Sequence, residues 1–327
     1  MKYFVTKDKQ SISQFALGTM NLPLDDREEL SEIIRLAFES GINYFDTADL
    51  YQYGKNEAVI GSILFDYGQF FEYNIGTKVG NEFDAALREK IKWNPSAEYI
   101  KHAVSQSKLR LSRDVIDLLM LHGGTVHDNM DETIREFESL KRKGDIKSYG
   151  ISTTRKNVID YYTENSDISV LMAPLNIIDN RSEEYLSDDY VFLARGPLMQ
   201  GLLTENYDVA LKTKFKHGYM GYSQDELREI ILMIKEYGYP LEAIAYKYLM
   251  NKNVVIVQGV STVSQLKKNL RHYETAKTIR DEVIEDICSK VEKKHYKEHR
   301  DPKTVTHQED NDKKNVLKKL RKKISQP

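Results

Sequence analysis

Four polar side chains of types that move protons follow strand-like apolar segments of the sequence. Asp46 and Tyr51 come in "INYFDTADLY", Lys78 lies in "YNIGTKV", and His122 ends "VIDLLMLH". A tyrosine hydroxyl can donate a proton, but its free pKa of about 10 makes it sluggish at neutral pH. A nearby ammonium stabilises the phenolate, a carboxylate keeps a buried ammonium charged, and an imidazole can donate a hydrogen bond. The set suits acid catalysis on an oxygen that gains negative charge.

Three of these residues also have an ordinary structural explanation. Asp46 could cap the next helix, Tyr51 could be a half-buried aromatic, and Lys78 could form a structural ion pair with Asp46. Taken singly, these structural roles are the commoner ones. Because the residues fall at the same end of three consecutive predicted strands, their joint pattern favours a catalytic group.

The elements that must position these residues are eight short apolar segments that alternate with segments of helical period. Several segments are apolar on both faces, which is typical of a parallel sheet covered by helices. Eight such units predict an α/β fold closed into a (β/α)8 TIM barrel, whose working groups gather at the carboxyl ends of the strands. No G-x-G-x-x-G follows the first strand, which disfavours an open dinucleotide-binding sheet. The predicted strands are QFALGTM, INYFDTA, YNIGTKV, VIDLLMLH, IKSYGIST, ISVLMAPLN, YVFLARGPL and NVVIVQGV.

Other local patterns predict the start of the chain and the helix boundaries. The leading "KYFVTKDKQSISQFALG" predicts a β-hairpin ahead of the first barrel strand. Ser96 is a predicted N-cap, and Pro240 is predicted at the first position of a later helix, where its missing N–H costs no hydrogen bond. The long segment around Trp93, "VGNEFDAALREKIKWNP", is interpreted as a variable loop.

The composition is that of a soluble globular protein. Of 327 residues, 40% are hydrophobic and 30% charged, with a formal net charge of −2, so the overall field gives no reason to expect nucleic-acid binding. No apolar run is long enough to span a membrane, and the N-terminus lacks the apolar core of a signal peptide. The single cysteine, Cys288, fits a reducing compartment and a role as a small apolar filler. We therefore expect a cytoplasmic protein with no membrane partner; the sequence leaves its oligomeric state open.

The last segment of the chain differs from the rest in composition. Residues 1–295 are assigned to the barrel, and residues 296–327 to a charged tail. Apolar residues at helical spacing in the tail allow a short basic amphipathic helix. His295 and His299 could share a metal, but they lie among lysines, and a solvated helix face is the simpler interpretation, so no metal site is assigned. The tail residues on the helical face are Val316, Leu317, Leu320 and Ile324.

Three motifs in order resemble those of the aldo-keto reductases. "FDTADLYQYGKNEAVIG" resembles the family signature D-T-A-x-x-Y-x-x-G-x-N/S-E, "IGTKVG" its lysine strand and "DLLMLHGG" its histidine strand. The resemblance implies an oxidoreductase that transfers hydride from NADPH to an aldehyde or ketone, a small-molecule carbonyl substrate. It also implies a catalytic tetrad, with Tyr51 as general acid. The tetrad residues are Asp46, Tyr51, Lys78 and His122.

The resemblance extends to a cofactor site, with departures. The family holds the nicotinamide carboxamide with Ser-Asn and Gln, whereas this chain has Ser152, Thr153 and Met172. Arg195 stands where many members stack an aromatic ring. The resemblance implies NADPH, but the family's usual cation for the 2′-phosphate is missing near Ser261, so NADH stays possible. The further implied cofactor residues are Pro197, Leu198, Gly201, Gly259, Thr262, Gln265 and Asn269.

A different class of function fits the same resemblance. The barrel could bind NADPH chiefly as a sensing or assembly module, like the related β-subunits of potassium channels. The altered residues Thr153 and Met172 and the basic tail favour this alternative, and the intact tetrad argues against it.

Overall fold

Eight parallel strands close into a barrel in the computed structural model, which describes residues 1–296. The strands of this part are β1 (Tyr3–Val5), β2 (Ser11–Ser13), β3 (Phe15–Gly18), β4 (Tyr44–Asp46), β5 (Asn74–Val79), β6 (Asn81–Asp84), β7 (Glu89–Trp93), β8 (Ile116–His122), β9 (Ile146–Ser152), β10 (Val170–Pro174), β11 (Val191–Arg195) and β12 (Val255–Gly259). The barrel order is β3-β4-β5-β8-β9-β10-β11-β12, and β12 pairs back with β3. This confirms the predicted (β/α)8 barrel, and each predicted segment contains one of its strands.

The helices surround this barrel and bury one face each against the strands. They are α1 (Arg27–Glu39), α2 (Lys55–Tyr67), α3 (Ala97–Leu111), α4 (Met130–Lys143), α5 (Lys156–Asn165), α6 (Tyr207–Thr213), α7 (Gln224–Lys235), α8 (Leu241–Asn251), α9 (Val263–Ala276) and α10 (Asp281–Lys290). Ser96 caps α3 as predicted, since its side chain accepts from the Tyr99 N–H at 3.3 Å. Pro240 has the extended ψ of 137° and lies one residue before α8, so its predicted place inside the helix is wrong.

The barrel interior holds its own apolar cluster, separate from the larger one between strands and helices. Gly76 on β5 faces Tyr44 of this cluster. A Cβ at Gly76 would lie 1.9 Å from the Tyr44 hydroxyl oxygen, so only glycine leaves room for that ring. The interior cluster consists of Ile12, Ala16, Tyr44, Leu118, Met120, Val170, Met172, Leu193, Val255 and Val257.

Two antiparallel hairpins flank the barrel. The predicted N-terminal hairpin pairs β1 with β2, and its Ile12 packs into the barrel interior. The second hairpin, β6 with β7, follows β5 at the carboxyl end of the barrel, where a loop was expected. Its strand β7 reads EKIKW and is mostly exposed, and the alternation of its lysines with Ile91 and Trp93 is too short to identify a strand in the sequence.

The chain beyond α10 remains packed as far as it is described. Tyr296, which the composition placed in the tail, is buried, and its hydroxyl lies 2.6 Å from that of Ser182. The proposed amphipathic helix and His299 lie outside the described residues. Cys288 is partly buried against the core.

Candidate active site

The buried pair Asp46 and Lys78 lies at the carboxyl ends of neighbouring strands. Lys78 Nζ donates to Asp46 Oδ2 at 2.7 Å and to the Thr47 carbonyl at 2.6 Å. Lys78 is 1% exposed and Asp46 4%. Burial lowers the pKa of Lys78, but attraction and hydrogen bonding to Asp46 and Tyr51 together outweigh burial and raise this pKa above its ordinary value. The lysine is therefore held charged in a place that would otherwise discharge it.

Tyr51 stands beside this ammonium on a tight turn. The Tyr51–Gly54 segment forms a 3-10 turn in the connection between β4 and α2, and Lys78 Nζ lies 5.2 Å from the centroid of the Tyr51 ring. Gln52 and Tyr53 have positive φ values of 46° and 56°, an uncommon conformation for residues other than glycine. Such local strain persists only where neighbouring contacts hold it in place.

Asn56 and Glu57 fix the start of the helix that follows this turn. The Asn56 side chain accepts from the hydroxyls of Thr19 and Thr47, both at 2.7 Å, and so ties the ends of β3 and β4 together. Glu57, fully buried, accepts from Thr77 at 2.5 Å and from Arg110 at 2.7 Å. Sequence reasoning gave these residues no role, although they end the same motif that contains Tyr51.

His122 completes the group from the end of β8. Its ring stands edge-on to the Tyr51 ring, with 5.9 Å between centroids and 81° between planes. Burial and the nearby cations Lys78 and Arg195 lower the pKa of His122 to about 3. Its Nδ1 has no hydrogen-bond partner within residues 1–296. A neutral imidazole with a free nitrogen can donate a hydrogen bond to an incoming oxygen.

These four side chains border an open cavity of about 940 Å³ at the carboxyl end of the barrel. A second cavity of about 820 Å³ runs alongside, and Val257 and Gly259 line both. Together the two cavities form an extended cleft, and the four polar residues lie at one end of it.

The structure distributes the predicted cofactor residues along this cleft. Met172 is 2% exposed, yet its side chain reaches the wall of the first cavity. Thr262 lines neither cavity and instead caps α9, because its hydroxyl accepts from the Gln265 N–H at 3.1 Å. The first cavity is lined by Ser152, Thr153, Met172, Arg195 and Gly259, and the second by Pro197, Leu198, Gly201, Gly259, Ser261, Gln265 and Asn269.

The far end of the cleft contains the start of a helix and a set of balanced charges. Helix α9 begins there, but the N–H of its first residue, Val263, already donates to Glu29 Oε1 at 2.7 Å. Lys268 in the wall pairs with Glu205 at 2.7 Å and with Glu242 at 3.3 Å. Lys214 supplies a second cation to this wall. The two cavities together have room for a dinucleotide, and Lys214 and Lys268 make this end the one suited to its phosphates.

Further residues line the first cavity that sequence reasoning did not select. Tyr53 comes from the 3-10 turn, Arg88 and Lys90 from the β6–β7 hairpin, and Arg155 from the segment after β9. The segment with Arg88 and Lys90 comes directly after the predicted lysine strand, and this position in the sequence indicates that both residues lie near the site.

Comparison with known proteins agrees with this geometry. A sequence model described as "Aldo/keto reductase family" matches residues 14–292. This chain belongs to the aldo/keto reductase family. The chain is 39% identical over 298 residues to "Uncharacterized oxidoreductase YqkF" of Bacillus subtilis (strain 168), which is 88% of this chain and 96% of that protein. It is 25% identical over 293 residues to the "NADH-specific methylglyoxal reductase" of Escherichia coli (strain K12), 81% of this chain and 90% of that one.

A solved structure shares the architecture of this aldo/keto reductase. The holo form of aldo-keto reductase AKR11C1 from Bacillus halodurans has a TM-score of 0.82 and 36% identity, and the match covers 92% of this chain and 100% of that one. Members of the family are oxidoreductases that use nicotinamide cofactors, so this aldo/keto reductase is a nicotinamide-dependent oxidoreductase. Within residues 1–296, no helix is long and apolar enough to cross a membrane, and no group of three or more metal-ligating side chains could hold a metal ion.

Proposed function

We propose that this enzyme reduces an aldehyde or ketone with NADPH, and that Tyr51 is the general acid. The observation that carries the proposal is the placement of Tyr51 beside the buried pair of Lys78 and Asp46, at an open cavity that continues into a second one. A structural ion pair alone would need no access to a cavity of that size.

Each residue has a distinct part in the proposed reaction. A reduced nicotinamide, when bound, supplies the hydride that the carbonyl carbon receives. The Tyr51 hydroxyl gives its proton to the carbonyl oxygen, so that the C=O bond becomes C–OH, and it regains a proton from solvent. Lys78 stabilises the phenolate that remains. Neutral His122 donates a hydrogen bond to the same oxygen and orients the substrate.

The choice of NADPH is part of the proposal. The adenosine end of the cleft carries Lys214 and Lys268, either of which could meet the extra phosphate of NADPH. Because Glu205 and Glu242 already neutralise Lys268, Lys214 is the main candidate. NADH, which lacks that phosphate, needs neither cation and is the alternative cofactor.

A second candidate function rests on the carboxamide end of the cleft. Met172 has neither a hydrogen-bond donor nor a strong acceptor at a position where the family resemblance implies an amide. A barrel that binds NADPH for sensing or assembly, with little turnover, would tolerate that loss. We rank it second because Asp46, Tyr51, Lys78 and His122, the groups that the proposed proton transfer uses, all line the first cavity.

Parallel titrations of NADPH and NADH, followed by an assay of cofactor oxidation with a panel of aldehydes and ketones, test both functions. We expect binding of NADPH in preference to NADH, and turnover of at least some carbonyl compounds. Tight binding of NADPH without turnover across the panel would favour the sensing module. Preference for NADH would overturn the cofactor choice while leaving the reaction intact.

The remaining parts of the proposal concern the setting of the reaction. Residues 1–295 act as the catalytic barrel and residues 296–327 as an appended tail, in the cytoplasm. The expected partner is a small carbonyl compound. Cell fractionation with a cytoplasmic marker enzyme checks the location.

A further inference from the structure

Positive charge predominates in the wall of the first cavity. Among residues 1–296 its lining contains one carboxylate, Asp46, and that group is already paired with Lys78. Four further cations line this cavity. These remaining cations are Arg88, Lys90, Arg155 and Arg195.

Two of these cations lie across the barrel from the phosphate end of the cleft. Arg88 and Lys90 belong to the β6–β7 hairpin that follows β5, and Arg155 follows β9. The second cavity is built around β11 and β12, and β11 lies four places from β5 in the ring of eight strands, directly across the barrel. The cofactor's phosphates therefore do not account for the positive charge of Arg88 and Lys90. Together with Arg155, these two residues are called the cationic rim.

The hairpin that carries two residues of the cationic rim is fixed at its base. Trp93 Nε1 donates to both carboxylate oxygens of Asp128, at 2.9 and 3.0 Å. Its ring covers Gly80 so closely that a Cβ there would lie 2.7 Å from it. On the neighbouring strand Phe83 lies 6.1 Å from the ring of Tyr53, and Lys90 is its cross-strand partner. Lys90 is thus held on the hairpin beside the cavity.

We infer that the substrate is a carbonyl compound that also bears a carboxylate or phosphate, which the cationic rim binds while the carbonyl faces Tyr51 and His122. This rests on the proposed carbonyl reduction. Arginine binds carboxylate and phosphate through paired N–H groups, and lysine acts as a point charge. Arg155 is oriented by donation from its Nη1 to the Gly124 carbonyl. Arg88 makes no ion pair within residues 1–296.

Pairs of substrates that differ only in the anion measure this recognition. The pairs are 4-carboxybenzaldehyde with benzaldehyde, and glyceraldehyde 3-phosphate with glyceraldehyde. At low salt we expect kcat/KM to be about tenfold higher or more for the anionic member, mainly through a lower KM, because partly exposed cations attract an anion with that strength. The advantage should shrink at about 0.5 M salt, where screening acts over a few ångströms. The pair with the larger ratio identifies carboxylate or phosphate as the preferred group.

The double variant Arg88→Gln with Lys90→Gln should reduce the anionic-to-neutral ratio about tenfold. Lys92→Gln is the matched control, because Lys92 lies on the same strand, pairs with Glu82 at 3.3 Å and does not line the cavity. Equal kcat/KM for both members of each pair, or the same ratio in the double variant as in the parent, would overturn this inference and leave carbonyl reduction standing. Failure to reduce any aldehyde with either cofactor would overturn the proposed function and this inference with it.

The single tryptophan of the chain provides a second measurement that needs no turnover. Trp93 lies at the base of the hairpin, so its fluorescence should respond when 4-carboxybenzyl alcohol, the reduced product, binds to the full chain without cofactor. We expect a Kd about tenfold lower than for benzyl alcohol, and loss of that difference in the Arg88→Gln, Lys90→Gln variant. Equal dissociation constants for the two alcohols would contradict the inference.

Discussion

Replacing Asp46 with Asn should leave Lys78 as a buried charge without its counter-ion. The carboxylate lies 2.7 Å from Lys78 Nζ, and the lysine is 1% exposed. Removing one partner of a buried pair costs about 3–5 kcal/mol, and the retained Asn oxygen and Thr47 carbonyl favour the lower value of about 3 kcal/mol. For a domain of this size we expect the melting temperature to fall by roughly 6–12 °C.

The pH dependence of this loss is the more specific result. In the parent enzyme the pKa of Lys78 is higher in the folded state than the value of about 10.4 in the unfolded chain. The charged lysine therefore contributes its full stability below about pH 10.4, and this contribution declines as the pH rises through the folded-state pKa. Without Asp46, burial lowers the pKa of Lys78, and the unfolded chain binds more protons than the folded one. Stability of the variant should therefore rise with pH below about 10, by up to about 1.4 kcal/mol per unit.

Thermal unfolding of Asp46→Asn and Asp49→Asn, followed by circular dichroism from about pH 7 to 9, measures this effect. Asp49 is a matched control, because it is also buried, at 1% exposure, three residues further along. Burial and repulsion from Glu57 raise its pKa well above the ordinary value, which favours a protonated acid that Asn resembles. We expect Asp49→Asn to change the free energy of unfolding by less than about 1 kcal/mol. Equal losses in both variants, or an Asp46→Asn variant whose stability does not rise with pH, would refute the reasoning.

Three other substitutions test separate parts of the structure. The pKa of His122 is lowered to about 3, so below about pH 6.5 the unfolded chain binds a proton that the folded protein does not, and the parent loses stability. His122→Gln removes this loss, which amounts to up to about 2 kcal/mol at pH about 5 and is measured by urea titration. Gly76→Ala should destabilise by about 1–3 kcal/mol or prevent folding, since the new Cβ meets Tyr44; a neutral result in the same titration would contradict that contact. Met172→Gln should lower the Kd for cofactor about 2- to 10-fold, measured by fluorescence quenching, if one new hydrogen bond forms; weaker binding would show that the amide cannot reach the ring.

The sequence predicted those parts of the fold that depend on repeated apolar patterning. All eight barrel strands lie in segments whose side chains are apolar enough to be recognised, and the rule that parallel strands present their carboxyl ends at one face brought Asp46, Lys78 and His122 together in advance. Tyr51 could be selected only through the motif around it, since nothing in a lone tyrosine distinguishes a proton donor from a packed ring.

What remained out of reach depends on contacts between distant segments. The β6–β7 hairpin is stabilised by Trp93 binding Asp128, 35 residues away, rather than by its own apolar alternation. The same applies to Tyr296, whose burial depends on Ser182 and Arg181. The charge of the first cavity also arises from segments that only the barrel brings together. Local sequence patterns contain no information about such pairings.

The most direct test of the central claim compares Tyr51→Phe with Tyr53→Phe. Both tyrosines line the first cavity, two residues apart, but only Tyr51 has its ring beside Lys78 and His122. Tyr51→Phe should lower kcat about 10²- to 10⁴-fold, as expected for loss of a general acid, and Tyr53→Phe should keep kcat within a fewfold of the parent. The cofactor Kd, measured separately for each variant, should stay nearly unchanged in Tyr51→Phe. Turnover in Tyr51→Phe at the parental rate, or an equal loss in both variants, would contradict the assignment of Tyr51 as the proton donor.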